Sequence, residues 1–507
     1  MVLVVSVSVP GCSASHEAEQ THQIQSDALD KGVNTGARIR ALEDSWAAAG
    51  TDPARLPSVR ETTKQILWKG NAPPDLRDKA LKLLLTDESA AGQADTVNML
   101  RLRLPTEGQW SVVVAICEAT RARASNPEWR NMTAALVRSY ARKVPRPEDP
   151  DRPERAALLA LHPEKDLNQI VFEVFIRPGQ SGAPAKPEDS AEKSRAAAWE
   201  LLGRIDPDGT ARTALIAQEA STDPVLAELG RSARELGVVP VTSSELTWLH
   251  RLVDTKSPEA AAWWSQTAAA VAKLTPEQRA GLGMRHLEPV RWASLNKTDW
   301  LAAPRETLRS ELATRLDGRR IHRKTEGLRQ DQELSPETLK EWDAKLVWGD
   351  LLAMLVIDTA LSEPTVIAAI REQSEADRAD TTTEYGGVLW AADAAPSSAI
   401  KSSKSAGAGF VARSYPPRPA QRVNDRTFMA SEEMFSDSPR SLAHYHFHVQ
   451  KDANAEYAGP GAGDLEYAQS HGRTCLVFTS VRPGVLDADV YIRCGAVIDL
   501  GEAGGRK

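Results

Sequence analysis

The 507-residue chain is predicted to be multidomain: an all-α helical array followed by an α/β domain with a mostly antiparallel sheet. Three observations predict this. The length exceeds what one hydrophobic core ordinarily organises. From about residue 36 to residue 377, apolar positions recur at i, i+3, i+4 and i+7. After about residue 381, short β-branched and aromatic runs bounded by Gly, Pro, Asp and Ser replace that pattern.

The first element is "MVLVVSVSVPGCSAS", a short apolar run that ends at Val9-Pro10-Gly11-Cys12. It resembles a bacterial lipoprotein signal, in which a small residue precedes the cysteine that is lipidated. No Lys or Arg precedes the run, and Pro10 is unusual in that box. The resemblance implies a signal over 1–11, lipidation at Cys12, a polar tether over 12–35 and a place in the bacterial cell envelope. The alternative is a frayed N-terminus on a cytoplasmic protein. No apolar run reaches the roughly 18–20 residues of a membrane-spanning helix, so a lipid on Cys12 is the one membrane contact expected. The net charge of −7 is mild for this length. It suggests no concentrated basic face, and no nucleic-acid partner is expected.

Residues 36–240 read as short helices. "LRDKALKLLLTDESAA", "AAAWELLGRI", "GTARTALIAQEA" and "DPVLAELGRSARELG" repeat the helical spacing in good helix formers. Breakers such as "NAPPD" and "STDP" separate them, so stacked antiparallel pairs are expected. The pattern loosely resembles a HEAT-like α-solenoid, without a clean period. Val144–Arg155 and Arg177–Ser194, rich in Pro and charge, read as linkers. A second helical block spans 241–377. All thirteen tryptophans lie at or before Trp390, and packing between helices is their expected use.

Residues 378–507 form the last domain. "YGGVLWAA", "RTFMAS", "AHYHFHV", "RTCLVFTSV" and "ADVYIRCGAVIDLG" read as strands, and "DLEYAQSHG" as a helix with Asp464 near its start. "DAAPSSAIKSSKSAGAGF" reads as an insertion between early strands, and His471 as exposed loop. Cys475 and Cys494 fall on expected strands. They either pair in an oxidising compartment or stay as two separately buried thiols.

Chemistry concentrates in this domain. His444, His446 and His448 alternate along one strand and therefore share a face. Two imidazoles spaced in this way can grip one ion, with ring nitrogens near the roughly 2 Å bonds that zinc prefers. Asp464 follows sixteen residues after His448, at the mouth of the predicted helix, and is the candidate third ligand. Glu384, at the start of an early strand, is the candidate general base. His444 is expected to support the site rather than to ligate.

Order and spacing together resemble the JAMM (JAB/MPN) metallopeptidases. Their signature is a Glu at a Gly-rich strand start, then HxHP, then SxxD leading into a helix. Here "EYGGVL" supplies Glu384, "YHFHV" supplies His446 and His448 sixty-two and sixty-four residues on, and "PGAGDLEYA" supplies Asp464. The likeness covers roughly residues 381–501. Val449 stands where the family has Pro, the gap from His448 to Asp464 is longer, and Gly461 stands in place of the motif Ser. That Ser donates to the oxyanion, a contribution worth about 3 kcal/mol in comparable hydrolases. A backbone N–H near Gly461 or Gly463 is the expected substitute.

The resemblance implies a Zn2+-dependent amide or isopeptide hydrolase acting on a protein or peptide substrate, with the helical region recruiting it. The other readings are a catalytically silent JAMM-like scaffold, which Gly461 favours, and a structural lipoprotein with incidental histidines.

Overall fold

The computed structural model describes residues 28–143, 149–178, 187–218, 223–254, 257–319, 336–402, 409–454 and 458–504. The expected signal, Cys12 and most of the tether lie outside these residues, as do parts of both Pro-rich linkers and of the insertion. The described chain is mostly helical, with one mixed six-stranded sheet near the C-terminus. Among the described residues, no single helix is long and apolar enough to cross a membrane. Two compact units divide the chain, Met1–Asp206 and Pro207–Lys507.

The first unit is a succession of short helices, from Thr35–Thr51 to Pro187–Ile205. Their starts follow local rules. Asn34 and Ser89 cap through their side chains, Asp166 forms a capping box with Gln169, and Pro74 and Pro153 open their helices. Charge is buried here in closed networks. The fully buried Arg77 guanidinium donates to the Leu67 carbonyl, to both Glu107 carboxylate oxygens and to Gln109 Oε1.

In the second unit, six helices and the sheet position the site. The helices are α1 (Ser243–Val253), α2 (Leu287–Asn296), α3 (Trp348–Ala360), α4 (Pro364–Ala379), α5 (Glu432–Asp437) and α6 (Ala462–His471). The strands are β1 (Gly386–Ala391), β2 (Phe410–Ser414), β3 (Ala443–His448), β4 (Cys475–Arg482), β5 (Val485–Tyr491) and β6 (Val497–Glu502). They lie in the order β2-β1-β3-β4-β5-β6. Every pairing is antiparallel except β3–β4, which is parallel and is bridged by α6.

Both faces of the sheet are covered, which explains why strands buried along their length carry few solvent-facing positions. One face presents Tyr445, Phe447, Phe478 and Phe410. Tyr445 hydrogen-bonds Gln373 of α4, and Phe410 lies 5.3 Å from the Trp292 ring of α2. The other face carries the histidines. There Val388, Trp390 and Val411 pack on Met434 of α5, and Cys475, Val477, Tyr491 and Val497 pack on Ala468 of α6. Each fully buried aromatic or aliphatic side chain of this kind contributes about 1.5–3 kcal/mol.

Several expectations differ from the structure. "RTFMAS" is not a strand. β1 is already paired on both sides, and the segment instead lays Phe428 against Gly386. The single run "ADVYIRCGAVIDLG" folds into β5 and β6, because Gly495 turns the chain at φ +80°. Cys494 sits exposed in that turn while Cys475 is buried, and both are free thiols. β2 was hidden behind the insertion, which itself contains the helix Ser397–Ser402. His471 ends α6 and stacks on Tyr467, with ring centroids 4.3 Å apart. Nine of the thirteen tryptophans are buried, but Trp68 is 48% exposed.

Candidate metal centre

Three chain segments meet at one end of β3, and the topology explains why. β1 runs antiparallel to β3 with Gly386 opposite His446. Continuing that register by two residues brings position 384 level with position 448. In a parallel β-α-β crossover the helix begins near the carboxyl end of the first strand, where open sheets usually place their sites. α6 therefore returns Asp464, in its first turn, to the end of β3.

The distances follow. His446 Nε2 lies 3.3 Å from Asp464 Oδ1 and 3.6 Å from Glu384 Oε1. His448 Nε2 lies 3.8 Å from Asp464 Oδ2 and 3.8 Å from Glu384 Oε1. Tetrahedral zinc with bonds of about 2.0–2.1 Å separates its ligand atoms by roughly 3.3–3.4 Å. The donor atoms of Glu384, His446 and His448 all fall within 4.8 Å of one another.

Two of these atoms have no hydrogen-bond partner although they are buried: Glu384 Oε1 and His446 Nε2. The 3.3 Å approach of Asp464 to His446 is close enough to attract but not aligned as a hydrogen bond. Leaving buried polar atoms unpaired costs about 1–3 kcal/mol each. A cation held between the imidazoles and carboxylates would remove that cost at both atoms. The residues present therefore fit the group that the histidine spacing implies.

Neighbouring side chains hold these four in place. His446 Nδ1 shares a hydrogen bond of 3.3 Å with the Tyr491 hydroxyl, which turns Nε2 toward the carboxylates. Asp464 Oδ2 accepts the Gly461 N–H at 2.7 Å, so Asp464 also caps its own helix. Asp377, in α4, accepts the Tyr385 N–H at 2.5 Å and fixes the turn that carries Glu384. Gly386 and Gly387 are needed for close approach. A Cβ at Gly386 would meet the Phe428 ring at 2.5 Å, and one at Gly387 would meet the Arg413 carbonyl oxygen at 2.4 Å.

Electrostatics couple the cluster. Burial pushes the Glu384 carboxyl up to about 8, against the pull of His446. Burial opposes the charge of His446, but Asp464 and Glu384 outweigh it and raise its pKa to about 9. Burial also acts against the Asp464 charge. His446, His448 and the Gly461 N–H overcome it and hold the carboxyl far below its usual range. Burial raises Asp377 to about 7. The metal-free cluster thus retains protons at neutral pH, which an arriving cation displaces.

His444 forms no ion pair with these carboxylates. It is buried, its Nδ1 is 2.8 Å from the Tyr467 hydroxyl, and burial holds it neutral. The Gly461 N–H is committed to Asp464 and is therefore not the oxyanion donor expected of it. Gly463 lies one position into the first turn of α6, where N–H groups lack intrahelical acceptors. It lines a cavity of about 250 Å³ with Glu384, His446, Asp464, Tyr467 and Tyr491.

Tyr491, Tyr467 and Asp377 were not singled out in the sequence. Tyr491 had a weak signal, as an aromatic residue on an alternating strand. Asp377, at the end of a helix in another block, had none.

No family model, no curated protein and no solved structure matches this chain.

Proposed function

We propose that the second unit is a JAMM-like, zinc-dependent amide or isopeptide hydrolase acting on a protein or peptide substrate. The observation that carries the reading is the convergence of Glu384, His446, His448 and Asp464 with two orphaned buried atoms between them. His446, His448 and Asp464 would hold the ion, which supplies Lewis acidity toward the scissile carbonyl. Glu384 takes a proton from the attacking water as the C–O bond forms. It then delivers that proton to the departing amine nitrogen as the C–N bond breaks. Burial suits Glu384 to both steps, because it keeps the carboxyl within reach of protonation near neutral pH. The Gly463 N–H is the remaining backbone candidate for the oxyanion.

The commitment of the Gly461 N–H to Asp464 favours a second reading, a metal-holding module without efficient catalysis. Zinc content and hydrolysis separate the two. The wild type is expected to carry about one zinc per chain, and His446→Ala/His448→Ala to carry none. Glu384→Gln should keep the zinc and lose roughly 10²–10⁴-fold in kcat on peptide or isopeptide substrates. Equal, chelator-insensitive rates in wild type and Glu384→Gln leave the silent module. A zinc-free wild type removes both readings. The envelope tether is also part of the proposal, and Cys12→Ser should release the chain from membranes.

A further inference from the structure

Arg473 stands between α6 and β4 and is 4% exposed. Its guanidinium lies 3.5 Å over the ring of Trp248 in α1. One terminal nitrogen donates to the Ser438 carbonyl at 2.9 Å and reaches Ser441 Oγ at 3.4 Å. Among the described residues, no carboxylate forms an ion pair with it. Glu245 acts on it from a distance and pairs with Arg493 at 3.8 Å. Burial works against its charge. A buried guanidinium without a counter-charge is costly, and stacking on an aromatic ring offsets only part of that cost.

Beside it is a cavity of about 150 Å³, room for about five waters at roughly 30 Å³ each. Ser244, Thr247, Arg251, Glu432 and His471 also line it. Arg251 pairs with Glu432, whose side chain is 79% exposed, so this carboxylate neutralises Arg251 from the solvent side. Arg473, on the inner side, is left without one. Phe435 and His471 in its wall stack on each other, and Tyr467 stacks on His471 in turn.

We propose that this cavity binds a small oxyanion, a phosphate or carboxylate group. Arg473 supplies the buried charge and its planar fork of donors. Arg251 is shared with Glu432, and Ser244 and Thr247 supply hydroxyls. This site does not depend on the metal centre.

Thermal unfolding of the full chain tests it, with inorganic phosphate or sodium acetate titrated against sodium chloride at matched ionic strength. A saturable rise in Tm beyond the chloride effect is expected. A rise with phosphate alone assigns a phosphoryl group, a rise with acetate alone assigns a carboxylate, and a rise with both assigns the shared chemistry. Arg473→Met should abolish the response. Thr247→Glu, at an exposed position of α1, places a carboxylate at the cavity. It should raise the anion-free Tm and remove the response, and it decides the matter if Arg473→Met does not fold. No rise beyond chloride in the wild type overturns the proposal, as does a rise undiminished in Thr247→Glu.

Discussion

Arg77 in the first unit and Glu384 in the second are both ionisable and almost wholly buried, yet their surroundings differ in kind. Arg77 spends its donors on two backbone contacts, both oxygens of Glu107 and one Gln109 oxygen. Glu384 keeps an oxygen without a hydrogen bond, facing an imidazole nitrogen in the same condition. A closed network fixes helices against each other and needs nothing more. An open one retains interaction energy that only a ligand can use, at the expense of the metal-free fold. Of the two, Glu384 is the buried charge that a ligand could still engage.

The contrast can be broken most sharply by removing one group from each cluster. Arg77→Leu strips the buried Glu107 of its bidentate partner and leaves it only Arg103 and the Gln109 N–H, and urea unfolding should show a loss of about 3 kcal/mol. Glu384→Gln in metal-free protein should cost nothing or stabilise, since it puts a neutral amide in place of a carboxyl that burial already pushes toward its protonated form. A large loss there would mean that the Glu384 cluster is as closed as the other.

Next in size is Gly387→Ala. The added methyl meets a backbone carbonyl that cannot swing aside, and a loss of about 1–3 kcal/mol is expected. Zinc affinity should fall with it, because β1 carries Glu384 toward the histidines.

The pH dependence of the metal-free protein sharpens the comparison further. Glu384, His446 and Asp377 all have folded pKa values raised above their ordinary ones, to about 8, 9 and 7. Each therefore stabilises the fold below its unfolded pKa and loses that contribution as pH rises through the folded value. Asp464 is shifted the other way, and its contribution fades only in strong acid. Tm of the metal-free chain should thus fall steadily from about pH 5 to pH 9. Zinc should flatten or reverse the slope, since its binding tightens as protons leave.

The smallest effect is expected from Gly461→Ser. The nearest atom to a Cβ there is Asp464 Oδ2 at 3.5 Å, an ordinary contact, so stability should change by only a few tenths of a kcal/mol. If the hydroxyl reaches the substrate, kcat rises while Tm does not.

The histidine edge was legible because a strand repeats every second residue, so three alternating imidazoles announce a shared face. Asp464 was legible as a helix start behind a Gly/Pro turn. Tyr491 and Asp377 were not, since each reaches the site from a segment whose own pattern concerns packing. The strand β2 was lost because the Ser/Ala/Gly-rich stretch before it gives no sign of where pairing resumes. The split of β5 from β6 turned on one glycine inside an otherwise continuous apolar run.

The lone parallel pair, β3 with β4, also sets an order of events. β4 begins at Cys475, after the last candidate ligand has been made. A ribosome-bound chain that stops at α6 would own all four groups and still have no strand to pin that helix over β3. Metal capture would then have to wait for synthesis of the final hairpins, so truncation beyond Asp464 should abolish it as surely as mutating a histidine.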